Sequence, residues 1–234
     1  MVFTFWEGTM PVYIKLCMAT WKMPHVVLNY DTLRAYTDVT EDFIKNKLMK
    51  LTLPQIADWV RVHVLRDCGG YWLDADTIMV GDKLPEENIA GYVNQRTNTI
   101  GFLHTEAHSQ MFRLWASYQD DVLVYRDLSQ ARKEWDVMGN RFTDPYVRQH
   151  KEIDIHPLDN CWPEVYMVPG NMARRSKYEQ FYFAESRTLS EIHPTDLLML
   201  HNSWTPDWYK RFTNEQAVLD NPCTLSKILK EVLP

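Results

Sequence analysis

An α/β layered domain is the fold class this sequence predicts, and three observations predict it. Apolar, aromatic-rich runs of strand length alternate with longer stretches of helical period. Prolines and the Gly69-Gly70 pair fall mostly at the boundaries of those runs. The chain has 234 residues, 45% hydrophobic and 13% aromatic, enough to bury a substantial core. The expectation is one domain over residues 1–234, with a mainly parallel central sheet flanked by helices.

Taken in order, "VFTFW" reads as a buried strand, "PVYIKLCMATW" as a helix opened by Pro11 in its first turn, and "HVVLNY" as a second strand. "TEDFIKNKLMK" is an amphipathic helix with Thr40 as its N-cap. "LPQIADWVRVHVLRDC" is a helix that runs from Pro54 until Gly69-Gly70 stops it. "YWLDADTIMV" then reads as one strand. "IAGYVNQ", "TIGFLH", "EIDIHP" and "LLMLHN" are further strands, with "SQMFRLWASYQDDVLVY" as a long helix between the second and third of these. "TLSKILKEVL" closes the chain as an amphipathic helix.

Composition excludes several classes. With 25 Lys and Arg against 31 Asp and Glu, there is no basic field to grip a nucleic-acid backbone. Cys17, Cys68, Cys161 and Cys223 form no Cys-x-x-Cys pair, which argues for reduced thiols rather than a zinc knuckle or disulfide scaffold. The first ten residues lack a basic leader and read as a strand. No run approaches the roughly 20 apolar residues that span a bilayer, so a soluble, cytoplasmic protein is expected.

Two aspartates one residue apart, Asp74 and Asp76, end the aromatic run "GGYWLDAD". Carboxylates this close repel unless a cation or a shared proton lies between them, or water screens them. On the preceding helix Asp58 and Arg61 interrupt an apolar sequence. At three-residue spacing they share a face, where they either neutralise one another or present a carboxylate and a guanidinium to a ligand. Asp58, Arg61, Gly69-Gly70, Tyr71, Asp74 and Asp76 fall within 19 residues, a helix-turn-strand unit that would bring them to one crevice. Asp120-Asp121 reads as a solvated helix face, and His63, His104 and His108 show no pairing in the sequence.

The run "ADWVRVHVLRDCGGYWLDADTI" resembles the signature of DxD glycosyltransferases of the GT-A, Rossmann-like fold, particularly family 32 and the capsular-polysaccharide type. The resemblance is dense over residues 54 to 80 and looser at "FWEGTMPVYIKLCMATW" and "LMLHNSW". Similar chains occur in bacterial capsule clusters and large algal DNA viruses. The resemblance implies a metal-dependent, retaining hexosyltransferase that uses a UDP-sugar, UDP-glucose first and UDP-galactose or a deoxyhexose donor next, with a glycan or polysaccharide acceptor. Asp76 and Asp74 would bind Mn²⁺ or Mg²⁺, with His201 completing the site and its imidazole favouring Mn²⁺; Asn202 and Ser203 are the neighbouring alternatives. Trp6 would stack on uracil, Asp58 and Arg61 would hold the sugar and ribose, and Trp204 and Lys210 would meet the diphosphate. Trp204, Trp208 and Tyr209 form an aromatic cluster that suits either core or acceptor platform.

Segment "WDVMGNRFTDPY" stands where the family carries part of its acceptor and catalytic face, which makes Asp136, Asn140 and Asp144 candidates. The usual Gly-Pro there is replaced by Gly139-Asn140 and Asp144-Pro145. Retention allows a covalent carboxylate intermediate or a front-face attack, and the latter is favoured because no residue declares itself a nucleophile. Two rivals are a haloacid-dehalogenase-type phosphatase, with Asp74 as nucleophile in Asp74-x-Asp76-Thr77, and a noncatalytic nucleotide-sugar-binding module.

Overall fold

The computed structural model describes residues 1–92, 97–162, 165, 168, 170–192 and 196–234. The strands are β1 (Val2–Phe5), β2 (His25–Leu28), β3 (Gly70–Leu73), β4 (Thr77–Met79), β5 (Ile89–Tyr92), β6 (Thr97–Thr105), β7 (Ile155–Pro157) and β8 (Leu197–Met199). The helices used below are α1 (Val12–Ala19), α2 (Glu41–Asn46), α3 (Leu53–Cys68), α4 (Gln110–Tyr125), α5 (Asn140–Gln149), α6 (Asn171–Glu179), α7 (Asp207–Lys210) and α8 (Thr224–Val232). Two compact units emerge. The first comprises Met1–Gly8, Pro24–Leu73 and Glu86–His156, and the second Thr9–Met23, Asp74–Pro85 and Pro157–Pro234.

In the first unit six strands form a sheet in the order β2-β1-β3-β6-β5-β7. β1 pairs in parallel with both β2 and β3. All four of its residues are buried, as expected for a strand covered on both faces. β6 runs antiparallel to β3, and β5 antiparallel to β6. β5 therefore points the same way as β1, β2 and β3, and β6 runs against these four in a mostly parallel sheet. Val93, Asn94 and Gln95 of the expected strand "IAGYVNQ" lie outside the described residues.

α3 has the bounds its sequence signals predict. Thr52 and Gln55 close a reciprocal capping box, and Pro54 sits in the first turn, where its missing N–H costs nothing. The helix stops at Gly69, at φ +64°. Gly70 follows at φ +93°, and a Cβ there would stand 2.6 Å from the carbonyl oxygen of Met1, the same oxygen that accepts the Tyr71 N–H at 3.0 Å. Both conformation and proximity thus demand glycine. Phe3, Trp72, Leu103, Phe112 and Trp115 belong to the core of this unit.

The second unit is built on β4, paired antiparallel with β8 from Thr77↔Met199 to Met79↔Leu197. α1 is tied to β4 by Trp21 Nε1, which donates to Thr77 O at 2.8 Å, and by Thr20 Oγ1, which accepts from Met79 N at 2.8 Å. α6 widens into a π-helical stretch over Gln180–Ala184, where buried Phe181 and Tyr182 join Tyr178.

One reading of the sequence is corrected, and one helix is added where the sequence reading assigned no element. "YWLDADTIMV" is not one strand: Thr77 N donates to Asp74 O at 2.9 Å, and this turn divides it into β3 and β4, which belong to different sheets. Alternating apolar residues hid the break, because Asp74-Ala75-Asp76 keeps period 2 through it. "RFTDPYVRQ" is helical in α5 although Pro145 lies inside it, where the ring cannot supply the intrahelical donor to Arg141 O. No helix among the described residues is long and apolar enough to cross a membrane. Gly70→Ala is expected to destabilise the protein by about 1–3 kcal/mol, the cost of a forbidden backbone plus the displaced N-terminal strand, measured by denaturant unfolding.

Candidate functional site

The candidate residues fall into two groups, one in each unit. In the first unit α3 places Asp58 and Arg61 one turn apart, Oδ1 to Nη2 at 3.1 Å, with side-chain exposures of only 11% and 5%. Arg61 also donates from Nη1 to the carbonyl of Ile100 on β6 and from Nε to Ala57 O at 3.3 Å. Its guanidinium lies 5.0 Å from the Trp72 ring centroid. A planar five-donor group is thus answered by a carboxylate, two carbonyls and an aromatic face.

Gly139 stands beside this pair. A Cβ at that position would be 2.5 Å from Ile100 Cδ1 and 3.3 Å from Asp58 Oδ2. Gln119 Nε2 holds the neighbouring chain in place, donating to Asp58 O at 2.9 Å and to Met138 O at 2.6 Å. The segment 136–144 therefore does approach Asp58, through a glycine. Its polar candidates have local partners. Asn140 Nδ2 donates to Asn98 O at 2.8 Å and to Asp144 Oδ1 at 3.2 Å, and Asp144 Oδ1 also accepts from Asn98 Nδ2 at 3.1 Å. Asp136 pairs with Arg141 at 2.8 Å. Trp6, just beyond β1, has its indole Nε1 buried without a hydrogen-bond partner.

In the second unit the Asp74–Thr77 turn presents Asp76 to the segment that follows β8. Asp76 O accepts from Leu200 N at 3.1 Å, and Asp76 Oδ2 accepts from Asn202 N at 2.7 Å. Tyr13 on α1 donates from its hydroxyl to Asn202 Oδ1 at 2.6 Å. Burial and then the charge of Asp76 push both the Tyr13 phenol and the Cys17 thiol well above their ordinary values. Asn202, an alternative to His201 as the residue completing the site in the sequence reading, is thus joined to Asp76 through its backbone N–H. Tyr13 went unnoticed there, because a tyrosine on an apolar helix reads as core.

His201 is enclosed by rings. Trp162 stacks at 4.7 Å, Trp204 lies at 3.9 Å, and Tyr178 meets it edge-on at 5.9 Å. That enclosure lowers its pKa to about 4, so the imidazole is neutral at physiological pH. Ser203 and Trp208 are exposed, Lys210 lies at the end of α7, and Tyr209 is core, sharing a hydrogen bond with Ser226 at 2.9 Å. The Trp204-Trp208-Tyr209 cluster is therefore divided: Tyr209 is packing, and Trp208 is 47% exposed.

Two carboxylates and a neutral imidazole are chemically suited to a divalent cation, but no three His, Cys, Asp or Glu side chains among the described residues cluster so as to hold one. A cation here would need oxygens from its ligand. A second correction concerns α3 and α4. Asp120 is not merely solvated: it accepts from Trp59 Nε1 at 3.4 Å and lies 3.4 Å from His63 Nε2.

Removing one member of the buried pair, by Asp58→Leu or Arg61→Met, is expected to cost about 3–5 kcal/mol in denaturant unfolding, and the double variant to regain most of that loss. The depressed His201 value has a definite sign. Above its unfolded value of 6.5 the contribution is complete, and it is lost as pH falls toward about 4, because the unfolded chain takes up the proton first. Unfolding midpoints should fall over that window by up to about 3 kcal/mol equivalent, and His201→Phe should flatten the decline.

Similarity to known proteins covers part of the chain. No curated protein matches the chain. A solved structure of PaToxG glycosyltransferase aligns at 14% identity with a TM-score of 0.42, covering 63% of this chain and 67% of that one. The family described as capsular polysaccharide synthesis protein matches residues 1–122, a stretch that holds Asp58, Arg61, Gly69-Gly70, Asp74 and Asp76. As that match spans more than half of the 234 residues, the chain belongs to the capsular polysaccharide synthesis protein family.

Proposed function

We propose that this protein is a glycosyltransferase that moves a hexose from a UDP-sugar to a glycan or polysaccharide acceptor, with the help of a divalent cation. The observation that carries the reading is the family match over residues 1–122, because polysaccharide synthesis requires glycosyl transfer and the matched stretch contains the acidic and basic residues suited to a sugar diphosphate. UDP-glucose is the first donor to test, followed by UDP-galactose and a deoxyhexose donor. A few kcal/mol separate such hexoses in a binding pocket.

Asp74 and Asp76 offer hard oxygens to Mn²⁺ or Mg²⁺, with the donor diphosphate supplying further ligands. When bound, such an ion stabilises the charge that builds on the departing UDP. Asp76 enters this role already oriented by the Asn202 N–H. Neutral His201 is suited to assist, and Trp204 and Lys210 are proposed to meet the diphosphate. Asp58 is proposed to contact the sugar or ribose, with Arg61 as its positioning residue, since the guanidinium is already bonded to Asp58, Ala57 and Ile100. Trp6 is proposed to stack on uracil. Transfer with retention by front-face attack needs the acceptor hydroxyl to be oriented and its proton passed to the leaving phosphate.

The test is calorimetric titration of UDP and UDP-sugars with Mn²⁺ and then with excess chelator, joined to an assay for UDP release. Asp76→Asn keeps an acceptor for the Asn202 amide but removes the charge. It should weaken Mn²⁺-dependent UDP binding at least about tenfold while leaving the unfolding transition near that of the parent protein. A folded variant with undiminished Mn²⁺-dependent binding would refute the role of Asp76.

A further inference from the structure

None of the donor, cation or acceptor candidates lines the large cavity of about 510 Å³ in the first unit, bounded by the loop before α2, by α3 and by α4. Its volume is in the range of small-ligand sites. From α3 come Trp59, His63 and Arg66, spaced so that they share one face, and α4 supplies Asp120. Asp38 and Phe43 approach from the loop and from α2.

The cavity contains an unsatisfied polar atom. His63 is only 3% exposed, stacked on Trp59 at 3.8 Å, yet its Nε2 has no hydrogen-bond partner. Asp120 Oδ1 lies 3.4 Å away but is not aligned to receive a hydrogen bond from it. A burial this complete would ordinarily be matched by a bond. A ligand hydroxyl reaching both from the cavity side, with a small widening of the 3.4 Å separation, would donate to the carboxylate and accept from the imidazole N–H.

Charge narrows the ligand class. Arg66 is held by Asp67 through two bonds, 2.6 Å at Nε and 2.7 Å at Nη2, while Asp38 and Asp120 both act on its charge. With two lining carboxylates beyond the one that pairs Arg66, a phosphate or nucleotide is repelled. The lining combines apolar groups, Phe43 and Val124 among them, with hydroxyl, carboxylate and guanidinium groups. A pyranose has the complementary pattern: C–H faces for the apolar walls and vicinal hydroxyls for the carboxylates.

We propose that this cavity is a saccharide-binding subsite that holds one or two residues of a neutral glycan, separate from the residues assigned to the nucleotide-sugar. Its ligand class rests on the glycosyltransferase reading, where the natural occupant is a segment of acceptor or product chain. Holding such a segment away from the transfer point would raise the effective concentration of the acceptor end.

The experiment titrates the full chain with neutral tetrasaccharides (maltotetraose, cellotetraose and β-1,4-galactotetraose), followed by saturation-transfer NMR without UDP or metal. It is repeated on Asp120→Asn, which preserves an acceptor for Trp59, and on His63→Phe, which preserves the ring stack; unfolding curves establish that each is folded. At least one tetrasaccharide should bind, with affinity lowered about tenfold or more by each variant, while Mn²⁺-dependent UDP binding is unchanged. Asp76→Asn should show the opposite pattern. If no tetrasaccharide binds, or binding is indifferent to Asp120 and His63 in folded variants, the subsite is overturned and His63 Nε2 is served by water alone. Oligosaccharide binding that depends on Asp120, together with no UDP binding under any metal condition, would support the subsite and overturn the donor reading.

Discussion

Arg61 cannot be in the interior of the first unit unless its charge and its donors are answered, and much of that unit is arranged to answer them. Asp58 supplies the opposite charge from the same helix face, Ile100 a carbonyl from β6, and Trp72 an aromatic surface from β3. These partners come from three elements, so the guanidinium fixes α3 against two adjacent strands at once. A hydrophobic residue of similar volume would pack there without needing any of them, and exchange of buried pairs for apolar groups is often neutral or stabilising. The ionic arrangement instead secures direction: Asp58 is held at one geometry, beside a glycine at position 139 whose missing side chain would otherwise stand 3.3 Å from Asp58 Oδ2.

The second unit solves a related problem with a carboxylate. Asp76 meets a backbone N–H at 2.7 Å, a bond of the charge-assisted kind. Its influence extends to Tyr13 and Cys17, each kept protonated partly by the negative charge nearby.

Much of this was legible in the sequence, and the unread parts have identifiable causes. α3 was read with ends within a residue of those observed because two local signals agreed, Pro54 and the Gly69-Gly70 stop, while the Thr52–Gln55 capping box went unread. The Asp58–Arg61 pair followed from helical spacing alone. The break between β3 and β4 was hidden because the turn at Asp74 preserves the alternation of a strand. α5 was missed because Pro145 argues against a helix that tertiary contacts, including Phe142 stacked on Trp115 at 5.8 Å, hold in place. The links Tyr13–Asn202 and His63–Asp120 join residues 189 and 57 positions apart, and no local pattern encodes such a meeting.

The segment 136–144 bears on how transfer would proceed. A carboxylate that attacks an anomeric carbon must have an oxygen lone pair directed at it. Asp144 Oδ1 already accepts from Asn98 N at 3.3 Å, from Asn98 Nδ2 and from Asn140 Nδ2, so that oxygen is committed to joining α5 to β6. Asp136 is bound to Arg141, which also bonds Glu134. Asn140 has no charge to contribute and uses its amide nitrogen in the same network. These three residues are thus engaged in holding the segment, and Gly139 within it stands beside the Asp58 carboxylate. A scaffold that presents backbone beside a fixed carboxylate suits orientation of an acceptor hydroxyl better than formation of a covalent glycosyl intermediate, which favours front-face displacement within the proposed reaction.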